Sequence, residues 1–235
     1  MYEDLKTKIK NCDMVLVGFG NLASLYPTYD YNKNYSFSEQ CDIFSSVNQG
    51  YMEELIKMYD DLAAMLEKKN YFILTTISDG LIKRSSLNPI RIAALCGSKD
   101  RLQCGCNTSE SIIDTPDGYY LNNNILKCPV CGQNYIPNIY NKTFYNENGY
   151  LKQWNLYNKW LQGTLNKNLV IIEIGCDFSL ASLIRWPFEK IALINQKAFY
   201  YRVNNLFPQI TAELKERMFS IEDDSCTFVR TLSTL

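Results

Sequence analysis

The strongest constraint on the fold is a series of short apolar runs separated by segments that can form helices. The runs are MVLV (residues 14–17), YFILTT (71–76), NLVIIEIG (168–175) and KIALINQ (190–196). Residues 51–69 carry apolar side chains at helical spacing, acidic residues early and lysines late. Strands alternating with helices predict an α/β fold with a doubly wound, Rossmann-like parallel sheet that binds ligands at the carboxyl ends of its strands. The last segment, NNLFPQITAELKERM (204–218), predicts a strand end and then a terminal helix.

Residues 96–140 interrupt this alternation and contain two close cysteine pairs, C-x-C and C-x-x-C. Two such pairs joined by a loop are typical of a closed, structural zinc site, whose binding energy replaces a missing apolar core. The alternative is that all four are ordinary reduced cysteines. The chain has no histidine, so thiolates or carboxylates must complete any zinc site. The predicted zinc ligands are Cys104, Cys106, Cys128 and Cys131.

The sequence therefore predicts two domains. Residues 1–95 and 141–235 form the Rossmann-like domain, with a helical insertion near residues 31–69. Residues 96–140 form a small zinc-binding domain inserted into it.

Composition excludes several classes of function. The 235 residues are 46% hydrophobic and 21% charged, and the sequence contains no apolar run of the ~18 residues that a membrane helix needs. The charged segment MYEDLKTKIKNCD does not resemble a secretion signal, which predicts a cytoplasmic protein. The net charge is −1 and the lysines are scattered, so neither nucleic acid nor membrane is an expected partner.

A glycine turn follows the first apolar run. Gly18, Phe19, Gly20 and Asn21 begin the pattern G-x-G-x-x-A, in which a strand turns into a helix. Backbone N–H groups at such a helix start bind an anion, typically the pyrophosphate of a dinucleotide. The alternative is a purely structural turn.

Taken in chain order, the motifs VGFG, TTISDGL, LCGSKDRLQC, CPVCG, EIG and ALIN resemble those of the sirtuins, NAD-dependent protein deacylases and ADP-ribosyltransferases. EIGCDFSLASLIRWPF and NKTFYNENGYLKQWNLYNKWL are most similar to the macrodomain-associated, or class M, branch. The resemblance covers nearly the whole chain. It implies a structural zinc ion, with NAD or ADP-ribose bound in the cleft between the two domains. An acylated or lipoylated protein is the implied substrate.

The resemblance also assigns roles to single residues. Gly18 and Gly20, with Phe19 and Asn21 between and after them, match the phosphate-binding turn. Asp79 matches an acidic residue near the nicotinamide pocket, or else it caps the helix after its strand. Gly175 matches the glycine that ends the third strand. Asn195 matches an asparagine that faces the adenosine ribose, or else it only turns the chain.

Three departures bear on catalysis. Cys96 stands where sirtuins have a histidine base and class M members a glutamine; a thiol, with its ordinary pKa of about 8.5, needs activation for that role. Ile77 replaces an asparagine that hydrogen-bonds the ribose, and it can neither donate nor accept. Phe19 replaces a small residue between the glycines.

Two hypotheses follow. The chain is an NAD-dependent protein ADP-ribosyltransferase or deacylase with impaired catalytic residues, using Asp79 and Cys96. Alternatively, it is an inactive homologue that senses NAD or ADP-ribose or serves as a protein scaffold. The double change at Ile77 and Cys96 favours the second.

Overall fold

The computed structural model describes residues 1–234 except 25, 27, 28, 47, 107–110, 122–124, 142 and 143. The helices are α1 (Tyr2–Asn11), α2 (Phe37–Ser45), α3 (Gln49–Leu66), α4 (Leu151–Gln162), α5 (Arg185–Ile194) and α6 (Ser225–Thr234). The strands are β1 (Met14–Phe19), β2 (Asn70–Thr75), β3 (Ile92–Ala94), β4 (Gly97–Gln103), β5 (Ile112–Asp114), β6 (Ile136–Ile139), β7 (Leu169–Ile174), β8 (Ala198–Val203) and β9 (Met218–Ile221).

The main sheet has six parallel strands in the order β3-β2-β1-β7-β8-β9. Helices α1, α3 and α6 pack on one face through Leu5, Leu55 and Phe228, and α4 and α5 pack on the other through Trp160 and Phe188. Because both faces are covered, β1 and β7 are buried along their whole length. This arrangement confirms the predicted α/β fold with a doubly wound sheet.

Two predicted elements are wrong. Residues 190–194 belong to helix α5 and not to a strand. Pro187 lies in the first turn of α5, where proline is tolerated, and Phe188 and Ala192 bury one face at a spacing of four residues. Residues 204–218 contain only a short 3₁₀ turn, Ala212–Leu214, before β9. The open edge of β8 is paired by β9, and the terminal helix is α6.

A second sheet of three antiparallel strands, β5-β4-β6, lies between β3 and α4 in the chain. It shares a tyrosine-rich cluster with α2, in which Phe44 meets Tyr120 edge to face at 5.1 Å. Part of the expected helical insertion therefore packs against the small sheet. The exact domain boundaries stay a prediction. None of the helices in the described part of the chain combines the length and apolar character that crossing a bilayer requires.

Candidate functional site

The four predicted zinc ligands lie together. Their Sγ atoms are all within 4.8 Å of one another, with Cys104 2.9 Å from Cys106, and Cys106 3.4 Å from Cys128. Zinc–sulfur bonds of about 2.3 Å place the sulfurs of a tetrahedral site about 3.8 Å apart, so this donor set fits zinc. The predicted cluster is confirmed. Four thiolates leave no open position for water, so zinc here would stabilise the small sheet without taking part in catalysis.

Backbone N–H groups shape the C-x-x-C turn and favour the thiolate form of Cys128. In the C-x-x-C turn, Gly132 adopts a φ of +71° and its N–H donates to the Cys128 carbonyl at 2.9 Å. Burial raises the pKa of Cys128, but the N–H groups of Cys131 and Val130 outweigh this and lower the pKa to about 6. Burial, followed by Cys106, raises the pKa of Cys104 to about 12. A metal binds the thiolate form, so these N–H groups favour binding at Cys128, and the Cys104 thiol must lose its proton when a metal binds.

Five buried polar residues meet where β1 and β2 end, and we call them the edge cluster: Asn21, Ser24, Tyr31, Ser78 and Asp79. Asp79 accepts from the Ser24 hydroxyl at 3.2 Å. The Tyr31 hydroxyl donates to the carbonyl of Thr76 at 2.7 Å and lies 3.2 Å from the Ser78 hydroxyl. It also lies 3.5 Å from Oδ1 of Asn21. The carboxyl ends of these two strands therefore converge on one buried carboxylate.

Asp79 also has a local structural role. Its Oδ1 accepts from the N–H of Leu81 at 2.9 Å, which caps the short 3₁₀ turn Leu81–Arg84 after Gly80 in the left-handed region. The predicted cap is therefore present, on a 3₁₀ turn. The predicted role toward a cofactor stays a prediction.

The glycine turn is explained by close packing. A Cβ on Gly18 would lie 2.5 Å from the Ile184 side chain, and one on Gly20 would lie 2.3 Å from Cα of Cys176. The N–H of Gly20 donates to the Ile174 carbonyl, and the N–H of Leu22 donates to that of Gly175. A helix was predicted to follow, but Asn21–Ala23 is a single 3₁₀ turn. In this conformation the structural interpretation of both glycines fits better than an anion cradle.

Phe19 lies beneath the turn. Its side chain is buried and meets Tyr59 of α3 edge to face at 5.2 Å, on the face of the sheet that α1, α3 and α6 cover. Phe19 therefore does not block the cleft, and its side chain is not placed to contact a ligand there.

The catalytic role predicted for Cys96 stays a prediction, and the closed conformation does not favour it. The side chain is 0% exposed in the tyrosine-rich cluster, and burial raises the pKa of its thiol far above neutrality. As long as the tyrosines cover it, this thiol stays neutral and does not act as a general base near neutral pH. Ile77 is buried in the main core, so this position contributes no polar contact to the site.

The cofactor role predicted for Asn195 is wrong. Asn195 follows α5 and precedes β8, so it lies at the amino-terminal edge of the sheet, where it donates to the carbonyls of Thr164 and Lys167 at 2.9 and 3.1 Å. Asn204, which sequence reasoning missed, follows β8 at the carboxyl edge and donates to the Cys176 carbonyl at 2.7 Å. The signal was the asparagine that directly follows the strand AFYYRV.

Gly175 lies where it was predicted, directly after β7. It adopts a φ of +64°, and its N–H donates to the Val203 carbonyl at 2.9 Å. Nearby, Arg185 is buried and stacks over Phe178 at 4.2 Å, and its Nη1 has no hydrogen-bond partner among the residues that the structure describes. A buried guanidinium nitrogen without a partner is a ready donor for an anion.

Three buried tyrosines lie between the main sheet and residues 96–140, which we call the cysteine-bearing module. We call these tyrosines, Tyr26, Tyr29 and Tyr31, the tyrosine segment. Tyr26 meets Phe44 of α2 at 5.5 Å, and Tyr29 stacks on the same ring at 5.9 Å. The Tyr31 hydroxyl bonds to the chain that leaves β2. The cleft between the two sheets is therefore occupied by the protein itself in this conformation.

Comparisons with known proteins agree with this architecture. No protein-family model matches the chain. A curated relative from Staphylococcus aureus, named "Protein ADP-ribosyltransferase", is 21% identical over 226 residues, covering 89% of this chain and 69% of the relative.

Two solved structures are similar over nearly their whole length. One is described as "The Structural basis for Sirtuin Substrate affinity", with a TM-score of 0.63, 16% identity and coverage of 100% of this chain and 97% of that one. The other, "Sir2-p53 peptide-NAD+", has a TM-score of 0.62, 16% identity and coverage of 100% and 98%. At this identity the likeness shows the fold. The chain is a two-sheet α/β protein with a four-cysteine module, and its fold is that of the sirtuins. The class M branch stays a prediction.

Proposed function

We propose that this chain binds NAD at the carboxyl edge of its main sheet. The observation that carries the proposal is the part of the edge cluster that stays when Tyr31 moves: the buried Asp79 carboxylate, with the hydroxyls of Ser24 and Ser78 and the Asn21 amide beside it. These groups lie at the point where a doubly wound sheet binds ligands. Arg185 supports it, because its unpartnered Nη1 suits an anionic diphosphate. Binding requires the tyrosine segment to move out of the cleft.

The reaction we propose is ADP-ribosyl transfer to a protein rather than deacylation. In such a transfer the bond between nicotinamide and the ribose C1′ breaks and neutral nicotinamide leaves. A nucleophile of the substrate protein bonds to C1′ and releases its proton to solvent. A good nucleophile needs no base on the ribose hydroxyl, whereas deacylation relies on one. A general base contributes roughly 10²–10⁴ in rate, and the chain has no histidine to supply one, with the thiol of Cys96 at the position where sirtuins carry it. The curated relative carries the same activity in its name.

The substrate, an acylated or lipoylated protein on the sirtuin resemblance, belongs to the proposal as well. We also propose that the protein works in the reducing cytoplasm, which keeps its nine free thiols reduced.

A second function is an inactive sensor of NAD or ADP-ribose. The observation that favours it is the loss of both ribose-directed groups. Ile77 is buried in the core, and Cys96 is buried behind the tyrosine segment. A cleft with these two changes can still hold a nucleotide while leaving its glycosidic bond intact.

Calorimetric titration of the zinc-loaded chain with NAD and with ADP-ribose tests the binding shared by both functions. Nicotinamide release and mass spectrometry of an ADP-ribosylated protein then separate them. Asp79→Asn is the informative variant, because the amide keeps the volume and can keep the cap on Leu81 but loses the charge. Loss of nicotinamide release with retained binding supports the transferase. Binding without release in the unmodified chain supports the sensor, and no binding of either ligand refutes both.

A further inference from the structure

Helix α5 carries apolar side chains on its outward face as well as on its buried one. Phe188 and Ala192 are buried against the main sheet. Trp186, Leu193 and Ile194 point the other way and are 56%, 40% and 61% exposed. Positions 186, 190, 193 and 194 recur at spacings of three and four residues, so they share one side of the helix. We call this outward face the α5 stripe: Trp186, Lys190, Leu193 and Ile194.

Further exposed apolar side chains extend the α5 stripe at both ends. At its carboxyl end, the Asn195 side chain donates to the carbonyl of the residue before Leu165, which brings the exposed Leu165 side chain close to the stripe. At its amino end, Nη2 of Arg185 donates to the Gln209 carbonyl at 3.2 Å, and the exposed Ile210 follows. A contiguous apolar surface of this kind on a folded chain marks a contact with another molecule.

The charges beside the α5 stripe are cationic. Lys190 lies within the stripe and is exposed, and Lys152 and Lys159 are exposed on α4, which packs on the same face of the sheet. Helix α4 contains no acidic residue, and α5 contains one, Glu189. Its carboxylate already accepts from Nη2 of Arg202 at 2.7 Å. The three lysines form no ion pair within the described part of the chain.

The acidic residues near α5 lie on its other side. Glu213 and Glu216 are exposed in the segment between β8 and β9, whereas α4 contacts β3 at the opposite edge of the sheet. The surface from the α5 stripe to α4 is therefore apolar and positive, and a complementary partner is apolar and negative there.

A second copy of the chain fits this surface poorly. Lys190 lies midway between Trp186 and Ile194, so pairing two stripes about a two-fold axis brings the Lys190 side chains of both copies together. Like charges at the centre of an interface cost binding energy. An anionic bilayer also fits less well, because membrane-binding segments carry clusters of about 4–8 basic residues and the stripe itself holds one.

We propose that the α5 stripe docks an acidic amphipathic helix of another protein. The apolar residues of that helix pack on Trp186, Leu193 and Ile194, and its aspartates and glutamates face Lys190 and the lysines of α4. The ten residues of α5 span about 15 Å, so the partner contributes two to three helical turns. An interface of this size is small, which sets a Kd on the order of micromolar. The proposal rests on the outward face of α5 and is independent of NAD binding.

The first test places a photo-crosslinking amino acid at position 194 of the full, zinc-loaded chain and irradiates it in cells of the native host. The crosslinked peptides are sequenced by mass spectrometry. We expect the adduct on a segment of another protein with apolar residues at helical spacing and acidic residues beside them. The same replacement at Leu121, which is 73% exposed in the cysteine-bearing module, is the matched control and should not yield this adduct.

Four results would overturn the proposal. They are an adduct only with a second copy of the chain, an adduct only with lipid, an adduct on segments without acidic residues, and no adduct beyond that of the Leu121 control.

A synthetic peptide of the captured segment then measures the contribution of single side chains. Trp186→Ala should weaken binding by about 30-fold, because a central aromatic residue carries much of the energy of a small interface. Lys190→Glu should weaken it by about tenfold, and a peptide with lysine in place of its facing acid should restore the affinity. Lys68→Glu, at an exposed lysine after α3, is the matched charge reversal and should change nothing.

Unchanged affinity in Trp186→Ala would refute docking on the α5 stripe, and a failed charge exchange at Lys190 would refute the acidic partner. All three variants should keep the urea midpoint and the NAD affinity of the unmodified chain, because the stripe lies outside the core and outside the edge cluster. The docking surface and the NAD site can therefore fail independently.

Discussion

Removal of the Tyr31 hydroxyl should tighten NAD binding if the tyrosine segment competes with the nucleotide. In Tyr31→Phe the ring still packs in the cluster, but the bond to the Thr76 carbonyl at 2.7 Å and the contact with Ser78 at 3.2 Å are lost. Loss of a buried hydrogen bond that leaves its acceptor unpaired costs about 1–2 kcal/mol. The filled conformation is destabilised by that amount, so the open population rises about 5–30-fold while it remains a minor state. The apparent Kd for NAD falls by the same factor.

Calorimetry on the zinc-loaded chain measures this change directly. Tyr201→Phe is the matched control. It also loses a tyrosine hydrogen bond, to Asp4 at 2.6 Å, but that bond joins β8 to α1 outside the cleft. We expect both variants to lose similar stability in urea, with tighter NAD binding only in Tyr31→Phe. An unchanged or weaker NAD affinity in Tyr31→Phe would refute the proposed competition between the tyrosine segment and NAD.

Three further expectations concern the cysteines and the pH dependence. Cys128→Ser should abolish stoichiometric zinc, measured by metal analysis, and expose the small sheet to amide hydrogen exchange while the main sheet stays protected. Cys96→Ala should lower the free energy of unfolding by roughly 1–2 kcal/mol through a small cavity and leave nicotinamide release unchanged; a strong loss of turnover would restore Cys96 to the mechanism. Burial raises the pKa of Tyr26 and of Tyr29 from 10.0 to about 12. Their neutral forms therefore stabilise the fold below pH 10, and this contribution is lost as the pH rises to about 12. At each pH in this range, the folded chain should show less tyrosinate absorbance than the urea-unfolded chain.

The parts of the fold that depend on local pattern were predictable. The buried strands β1, β2 and β7 are continuous apolar runs, and the four cysteines have the spacing of a metal site. Helix α5 was not predictable from its apolar content, because the β-branched residues in KIALI hide the four-residue spacing of its buried face. That single error also placed Asn195 at the wrong edge of the sheet.

The candidate site depends on contacts between distant segments, which no local pattern reveals. The tyrosine segment has no periodicity, and its partners come from α2, from the end of β2 and from the cysteine-bearing module. Cys96 matches a catalytic position in the motif series, yet its environment is set by those same tyrosines. Residue type could suggest a base at this position, but only the packing shows that solvent does not reach it.

The small sheet begins and ends at one place. Gly97 at the start of β4 pairs with Ile139 at the end of β6, and the N–H of Tyr140 donates to the Cys96 carbonyl at 2.9 Å. The separation between the two ends is thus set by strand pairing and does not depend on the length of chain between them. The cysteine-bearing module therefore joins the main sheet at two adjacent points. Its loops can lengthen, shorten or be replaced by those of a homologue while the strand order of the main sheet is preserved.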